Sequence, residues 1–436
     1  MISRQLSTMS GTVPPIVSVV PSRALVDEKI KVLVENLPPG SPVTLHSLHH
    51  SEDRDYWEAY GHYVSDHRGT VSVAKDLSFG GTYTGKEAMG LLWSMHPVPG
   101  SRKGLRLRKR DVCSPMLVNI SVHSGHIAEG FRQQPPLASA LIERWYMAPG
   151  VQRISIKETG VRGTLFIPPG PGPFPGLLDL WGGGGGLLEY RSSLIASHGF
   201  ASLALEYLSS DDQYPLFSII EAAFSILKDH PQVIPERVGI FGLSLGSILT
   251  IFFTAESAVI KPFCCVCISG SHIYPSGKML LMCAVTCDGR KLNKVRLDEN
   301  NHHIWRDVGR AIFHTPSNQV DVGKVNCPML LVNGLDDQNW PTVESAEDMA
   351  EKMNAVGKGH LLTRLEYPDT GHLIEPPFSP HFRATNFIVE ATKEKVIMLW
   401  GGQTKPHSDA QEDSWRKILA FLQHHLYSSL TPKVKL

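Results

Sequence analysis

Gly242-Leu243-Ser244-Leu245-Gly246 is the strongest local chemical signal in the chain. It follows an apolar strand-like run, Arg237 to Phe241, and precedes a helical pattern from Ser247 on. A Gly-x-Ser-x-Gly run between strand and helix puts the serine in a sharp, strained turn, so the residues two away on each side must be small. The helix that follows points its first N–H groups at developing negative charge. A serine hydroxyl is a weak nucleophile and needs a base with an orienting acid. Both lie downstream, in the order serine, acid, histidine. Met329 to Gly334 reads as a strand and turn followed by Leu335-Asp336-Asp337, and one of the two Asp is expected to orient the histidine. Tyr367-Pro368-Asp369-Thr370-Gly371-His372 ends a strand in a Gly-His turn, which makes His372 the base. The rest of the 20 histidines lack that context, and none shows metal-ligand spacing with Cys or acids.

Gly182 to Gly186 directly follows a second apolar strand, Gly176 to Leu180. A dinucleotide site is excluded, because Leu187 occupies the third Gly of G-x-G-x-x-G. No Lys-Ser/Thr pair follows for a P-loop. The run fits half of an oxyanion hole, since glycine lets backbone N–H groups come close. Gly183 is the donor expected among the five, with the N–H of Leu245 as its counterpart.

These residues need a frame. From Gly163 on, strands and helices alternate: Gly163 to Ile167, Gly176 to Leu180, Phe200 to Leu205, Arg237 to Phe241, Phe263 to Ile268 and Met329 to Val332 read as buried strands. Helical stretches cover Leu187 to His198 and Leu216 to Lys228. Runs buried on both faces mark a parallel sheet. A last helix is expected over Ser414 to Leu426, with Trp415, Ile418, Leu419, Leu422 and Leu426 on one face. Residues 271–323 interrupt the alternation and are placed to cap the site. Before Tyr146 the chain changes character. Ile16 to Val20, Lys29 to Val34, Val43 to Leu48, Thr70 to Val73 and Met116 to Val122 are short β-prone runs between Pro/Gly turns, as in an antiparallel sandwich. The expected fold is an α/β-hydrolase catalytic domain, 151–436, preceded by an all-β, immunoglobulin-like sandwich, 1–150, with Tyr146 to Gly150 as linker.

Composition narrows the function. The 436 residues carry 42 Lys+Arg against 42 Asp+Glu. This balance excludes a dedicated nucleic-acid binder. Arg102 to Arg110 holds six of the basic residues. It reads as a solvated strand edge with charged gatekeepers, the phosphates of an anionic substrate being the alternative. Seven Cys without a short-spaced framework fit reduced thiols of an intracellular protein. No run reaches the length of a membrane span, and no secretory signal opens the chain. Residues 1–26 lack acids, a faint transit-peptide feature, and Val434-Lys435-Leu436 matches two positions of a peroxisomal tail. The expected compartment is the cytoplasm, with peroxisome and mitochondrion as alternatives.

The chain resembles the type-I acyl-CoA thioesterase family, which includes the bile acid-CoA:amino acid N-acyltransferases. The likeness is carried by Met89-Gly90-Leu91-Leu92-Trp93, Lys109-Arg110-Asp111-Val112, Arg162-Gly163-Thr164-Leu165-Phe166, Pro171 to Gly176, Gly184 to Arg191, Asp336 to Trp340, Tyr367-Pro368, Thr370-Gly371-His372 and Glu375-Pro376-Pro377. It implies an N-terminal β-sandwich, a C-terminal α/β-hydrolase domain, and a triad of Ser244, Asp337 and His372. Asp337, third after Gly334, stands where the family loop places the acid, with Asp336 as the alternative. It implies an acyl-CoA substrate, no metal and no cofactor beyond the CoA of the substrate, no nucleic-acid partner and no transmembrane segment, and it sets no oligomeric state. Two features depart from the family: Leu245 stands where thioesterases carry Lys, and the segment between Tyr207 and Phe217 is shortened. The amino acid transferases of the family use Cys as nucleophile. Ser244 therefore favours hydrolysis, because an acyl-serine is an oxygen ester that water clears, whereas a thioester reacts readily with amines. Transfer to glycine or taurine is the alternative, followed by a catalytically inactive lipid-binding homologue and a generic carboxylesterase or peptidase.

Overall fold

The computed structural model describes residues 13–208, 215–273, 295–389 and 394–428. Residues 1–12 of the acid-free N-terminal stretch, the Val434-Lys435-Leu436 tail, Cys283 and Cys287, and the middle of the 271–323 insertion lie outside the described residues. The chain separates into two compact units. One holds residues 1–24, 28–99 and 116–144; the other holds 25–27, 100–115 and 145–436.

The first unit is antiparallel β. A three-stranded sheet runs Ile16–Val20, Lys31–Glu35, Val71–Ser72. Strict alternation buries Val17, Val19, Val32 and Val34 and leaves Ile16 and Val20 exposed, the period of a half-buried strand. A six-stranded sheet runs Arg23–Leu25, Ala138–Trp145, Met116–Ser124, Pro42–His50, Tyr56–Val64, His96–Pro97. Ile16–Val20 packs on Met116–Ser124, so the two sheets face each other. The β-prone runs of the sequence reappear here within a few residues. Tyr56–Val64 and Ala138–Trp145 are strands that apolar patterning did not single out. Glu58 interrupts the first with a charge, which the fold buries 3.0 Å from His46 Nε2.

The second unit is built on an eight-stranded sheet. Its strands are β1 (Gln152–Glu158), β2 (Val161–Ile167), β3 (Phe174–Leu180), β4 (Ala201–Glu206), β5 (Val233–Leu243), β6 (Cys265–Ile268), β7 (Met329–Gly334) and β8 (Leu362–Tyr367). Their spatial order is β1-β2-β4-β3-β5-β6-β7-β8. β1 and β2 pair antiparallel with their neighbours, and β4 through β8 join β3 in parallel. This is the α/β-hydrolase sheet. β6 and β7 are buried along their whole length, while the edge strand β1 is largely exposed.

Helices cover both faces, which explains the absence of alternation in the central strands. Leu178 and Leu180 of β3 pack in one cluster with Ile220, Ala223 and Leu227 of α2 (Leu216–Asp229). Asp179, between them, points the other way and binds Arg191 and Ser192 of α1 (Tyr190–Ser197). α3 (Leu245–Glu256) and α5 (Thr342–Ala355) enclose Cys265, Cys267, Met329 and Leu331. The cysteines therefore pack as small hydrophobes, and burial pushes the Cys264 thiol up. Between them α4 (Arg306–Phe313) lies in the described part of the insertion.

The last helix, α6 (Thr404–Tyr427), buries Trp415, Ile418, Leu422 and Leu426, with Leu419 half-buried. It begins earlier than its apolar stripe indicates, because its first turns bury the polar His407, Ser408 and Gln411. A hairpin of β9 (Ala384–Val389) and β10 (Glu394–Leu399) completes the frame of the site.

Candidate active site

β5 delivers its chain end to Ser244 at φ +56°, a left-handed conformation that side chains other than glycine adopt only under constraint. The constraint is close approach. A Cβ on Gly242 would stand 2.4 Å from Gly246 O, and one on Gly246 would stand 2.1 Å from Leu180 O. Neither position tolerates a side chain without moving backbone. The Ser244 N–H donates to Ile268 O at 2.9 Å, tying the turn to β6. α3 starts at Leu245, two residues before the helical pattern of the sequence. The Leu245 N–H sits in the first turn, where no intrahelical acceptor exists.

Ser244 Oγ lies 2.8 Å from His372 Nε2. His372 Nδ1 lies 2.6 Å from Asp337 Oδ2. Asp337 and His372 are fully buried. A carboxylate only accepts, so Nδ1 carries the proton and Nε2 is left to accept from the serine hydroxyl. The remaining capacity of Asp337 is filled by the N–H groups of Asn339 and Trp340, at 2.8 and 2.9 Å, and by Thr342 Oγ1 at 3.3 Å. Asp336 turns away: it accepts from Gly402 N–H at 2.7 Å and Gln338 Nε2 at 2.6 Å. The His372 ring stacks on Trp400, with centroids 5.7 Å apart. Its backbone is pinned by an N–H bond to Trp400 O at 2.9 Å and a carbonyl that accepts from Ser269 Oγ at 2.6 Å.

The glycine run passes beside this chain of hydrogen bonds. A Cβ on Gly182 would touch Ser244 Cβ at 3.4 Å, and one on Gly183 would touch Leu245 Cβ at 3.9 Å. Gly185 and Gly186 have φ of +67° and +79°, so glycine is needed there for backbone shape rather than for proximity. Gly182, Gly183 and Gly184 line one cavity with Ser244, Leu245 and His372. Among the described residues no cluster of three or more His, Cys, Asp or Glu side chains could hold a metal ion.

Residues 27–158 match the acyl-CoA thioester hydrolase/BAAT N-terminal region, and residues 217–428 match the BAAT/acyl-CoA thioester hydrolase C-terminal region. The peroxisomal succinyl-coenzyme A thioesterase of Mus musculus is 37% identical over 422 residues, spanning 93% of this chain and 96% of the relative. Acyl-coenzyme A thioesterase 6 of Mus musculus is 36% identical over 414 residues, 93% of this chain and 95% of the relative. The mitochondrial acyl-coenzyme A thioesterase 2 of Rattus norvegicus is 33% identical over 412 residues, 93% of this chain and 88% of the relative. The chain belongs to the acyl-CoA thioester hydrolase/BAAT family.

In this family member the Arg102–Arg110 stretch is not a solvated strand edge. It forms no strand, and it belongs to the same compact unit as Ser244. Gly104 O accepts the Asn386 N–H of β9 at 2.8 Å, which anchors the stretch. Arg106 is nearly buried and forms an ion pair with Glu375, whose other oxygen accepts from Tyr190 OH at 3.2 Å. Burial pushes the Arg106 guanidinium down, but the Glu375 carboxylate prevails and holds it above its ordinary value. Arg106 and Arg108 both line the Ser244 cavity. Glu375 and Tyr190 stand out in the sequence only as parts of the family-like motifs, because a buried pair far apart in sequence leaves no periodic trace.

His407 of α6 is the other residue that sequence patterning missed. Its Nδ1 accepts the Gly371 N–H at 3.1 Å, and its Nε2–H donates to Leu373 O at 2.8 Å. It thus clasps the backbone on both sides of His372. Burial, then the neighbouring His381, push its pKa down to about 3, so the ring is neutral as this double role requires.

Proposed function

We propose that the protein is an acyl-CoA thioesterase that hydrolyses acyl-CoA to free acid and CoA through an acyl-serine intermediate. The observation that carries this reading is the unbroken hydrogen-bond chain Ser244–His372–Asp337 at a cavity wall, in a chain whose relatives are named acyl-CoA thioesterases. Ser244 Oγ attacks the thioester carbonyl while His372 Nε2 takes its proton. Asp337 keeps the imidazole in the required tautomer and stabilises the imidazolium. The oxyanion settles on the N–H groups of Leu245 and Gly183, each such donor lowering the barrier by roughly 3–4 kcal/mol. The C–S bond breaks, and His372 returns its proton to the CoA thiolate, a good leaving group with a thiol pKa of about 8.5. His372 then activates water, which cleaves the acyl-serine ester. No step calls for a metal or a redox cofactor, and acyl-CoA is the one partner the chemistry needs.

The domain boundary belongs near residue 150, with the catalytic domain over 151–436. The compartment in this reading is the cytoplasm, in keeping with the free thiols of Cys113, Cys264, Cys265, Cys267 and Cys327. Peroxisome and mitochondrion, which appear in relatives' names, are the alternatives that imaging of a tagged chain separates.

The test is thiol release from a panel of acyl-CoAs, with and without glycine and taurine. Wild type should release thiol and free acid. Ser244→Ala should release none, and Asp337→Asn should lose on the order of 10⁴ in kcat, whereas Asp336→Asn should stay within a few-fold of wild type. Amide product in place of acid would assign the protein to the acyltransferase branch, and full activity in Ser244→Ala would refute the mechanism.

A further inference from the structure

β3 and β5 lie side by side, with Asp179 paired to Phe241 and Leu180 to Gly242. The two-residue period of a strand puts Asp179 and Trp181 on one face, the face that α1 covers. Arg191 of α1 is fully buried there and forms an ion pair with Asp179, its Nε donating to Oδ1 at 2.9 Å. Its guanidinium lies over two rings, 4.3 Å from the Trp181 centroid and 4.2 Å from the Phe241 centroid. Nη2 donates to Leu180 O at 3.2 Å and, more weakly, to Phe241 O at 3.5 Å. One side chain therefore grips the ends of both strands, β3 just before the glycine run and β5 just before Ser244. Nη1 is buried with no partner among the described residues. A buried fork with one arm unsatisfied is not what stability alone would select.

We propose that Arg191 is a positioning residue that holds the two oxyanion donors, the N–H groups of Gly183 and Leu245, in register with each other. This rests on the thioesterase reading above and adds the residue that sets the geometry of its oxyanion hole. Leu180 O, which Arg191 holds, is the atom against which Gly246 packs: a Cβ on Gly246 would stand 2.1 Å from it and 2.6 Å from Trp181 O. A shift of Leu180 is thus passed along the chain to Gly183 and across to the first turn of α3, where the Leu245 N–H sits. Trp181, between Leu180 and the glycine run, is held from three sides. Its ring meets Arg191 and, edge-on at 5.0 Å between centroids, Tyr190, and its carbonyl accepts from Tyr207 OH. Arginine suits this place because its planar fork reaches a carboxylate and two carbonyls at once while stacking on aromatic rings, which the point charge of lysine does not.

Removing Arg191 alone would leave Asp179 buried and unpaired, which threatens folding. The variant to make is the double Asp179→Leu, Arg191→Met, which replaces the pair by apolar side chains. It should fold, lose roughly 10²-fold in kcat on the acyl-CoA that wild type turns over best, and keep KM within a few-fold. Two ligands separate the oxyanion hole from the rest of the site. An alkyl trifluoromethyl ketone captures Ser244 as a hemiketal whose oxyanion occupies the hole, and its Ki should rise with the loss in kcat/KM. An S-alkyl-CoA thioether has no carbonyl and should bind the variant as it binds wild type. Arg191→Lys keeps a cation beside Asp179 without the fork; it should fall between the two proteins, and it carries the same comparison if the double variant does not fold. Wild-type kcat and ketone Ki in a folded variant would overturn the proposal. So would an equal loss of affinity for ketone and thioether, which would assign the pair to the general architecture of the sheet. Absence of thiol release from every acyl-CoA by wild type, with no capture of the ketone, would instead refute the thioesterase reading.

Discussion

His407 takes no part in the hydrogen-bond chain from Ser244 to Asp337, yet both of its ring nitrogens serve it. By holding Gly371 N–H and Leu373 O, it fixes the turn that aims His372. The chain of hydrogen bonds is only as good as that aim, since a displacement of about 1 Å in a reacting group can lower a rate 10²-fold. Replacing His407 with Ala should lower kcat by roughly 10- to 100-fold while leaving KM for acyl-CoA little changed. Steady-state kinetics beside a near-UV circular dichroism spectrum would show it. A loss confined to thermal stability, with kcat intact, would remove His407 from a positioning role. At this scale the meeting of Ser244 and His372, the proposed nucleophile and base, was legible, because a strained Gly-x-Ser-x-Gly turn and a Gly-His strand end each leave a local mark. The choice between Asp336 and Asp337 was not settled by local pattern. Adjacent carboxylates look alike in sequence, and only the direction of the chain after β7 sends one to His372 and the other to Gly402.

The elements impose their own limits. The turn between β5 and α3 works because position 246 is glycine: a Cβ there would stand 2.1 Å from the carbonyl oxygen of Leu180. That oxygen belongs to β3, whose backbone is locked in the sheet. Gly246→Ala should therefore destabilise the protein by about 3 kcal/mol, the upper range of an overpacked site. Gly184→Ala, where a Cβ meets nothing within 4 Å, should stay within about 0.5 kcal/mol. Urea unfolding of the two variants would compare them, and equal midpoints would refute the steric account. The buried strands announced themselves as continuous apolar runs. The edge strand β1 did not, because it is exposed along most of its length and carries an ordinary polar sequence. The start of α6 was hidden for the opposite reason. Its first turns bury polar side chains instead of extending a hydrophobic stripe, and one of them, His407, hydrogen-bonds the His372 turn.

Across the whole molecule, neutral buried histidines set the response to acid. His407 is pushed down to about 3 and His272 to about 4, in both cases first by burial, from an ordinary value near 6.5. A depressed histidine stays neutral in the folded state while the unfolded chain takes up protons. Stability should then be level above about pH 6.5 and fall below it, by about 1.4 kcal/mol per pH unit for each such group until the folded value is reached. Thermal unfolding followed from pH 8 to pH 4 should show this break. A His407→Gln variant should show a slope shallower by about one group's share. An unchanged slope would mean that His407 is protonated in the folded protein.

Sequence alone determined the class of fold and singled out Ser244 and His372 as the proposed nucleophile and base. Those depend on patterns of short range: apolar runs that must be buried on both faces, and small residues flanking a serine where strand meets helix. The tertiary structure alone decided what surrounds them. It turned Arg102–Arg110 from an apparent surface edge into part of the catalytic unit. It paired Arg106 with Glu375, and it set Arg108 on the wall of the cavity that holds Ser244. Buried charges find their partners across hundreds of residues, and such pairings obey the geometry of the closed chain rather than any spacing along it.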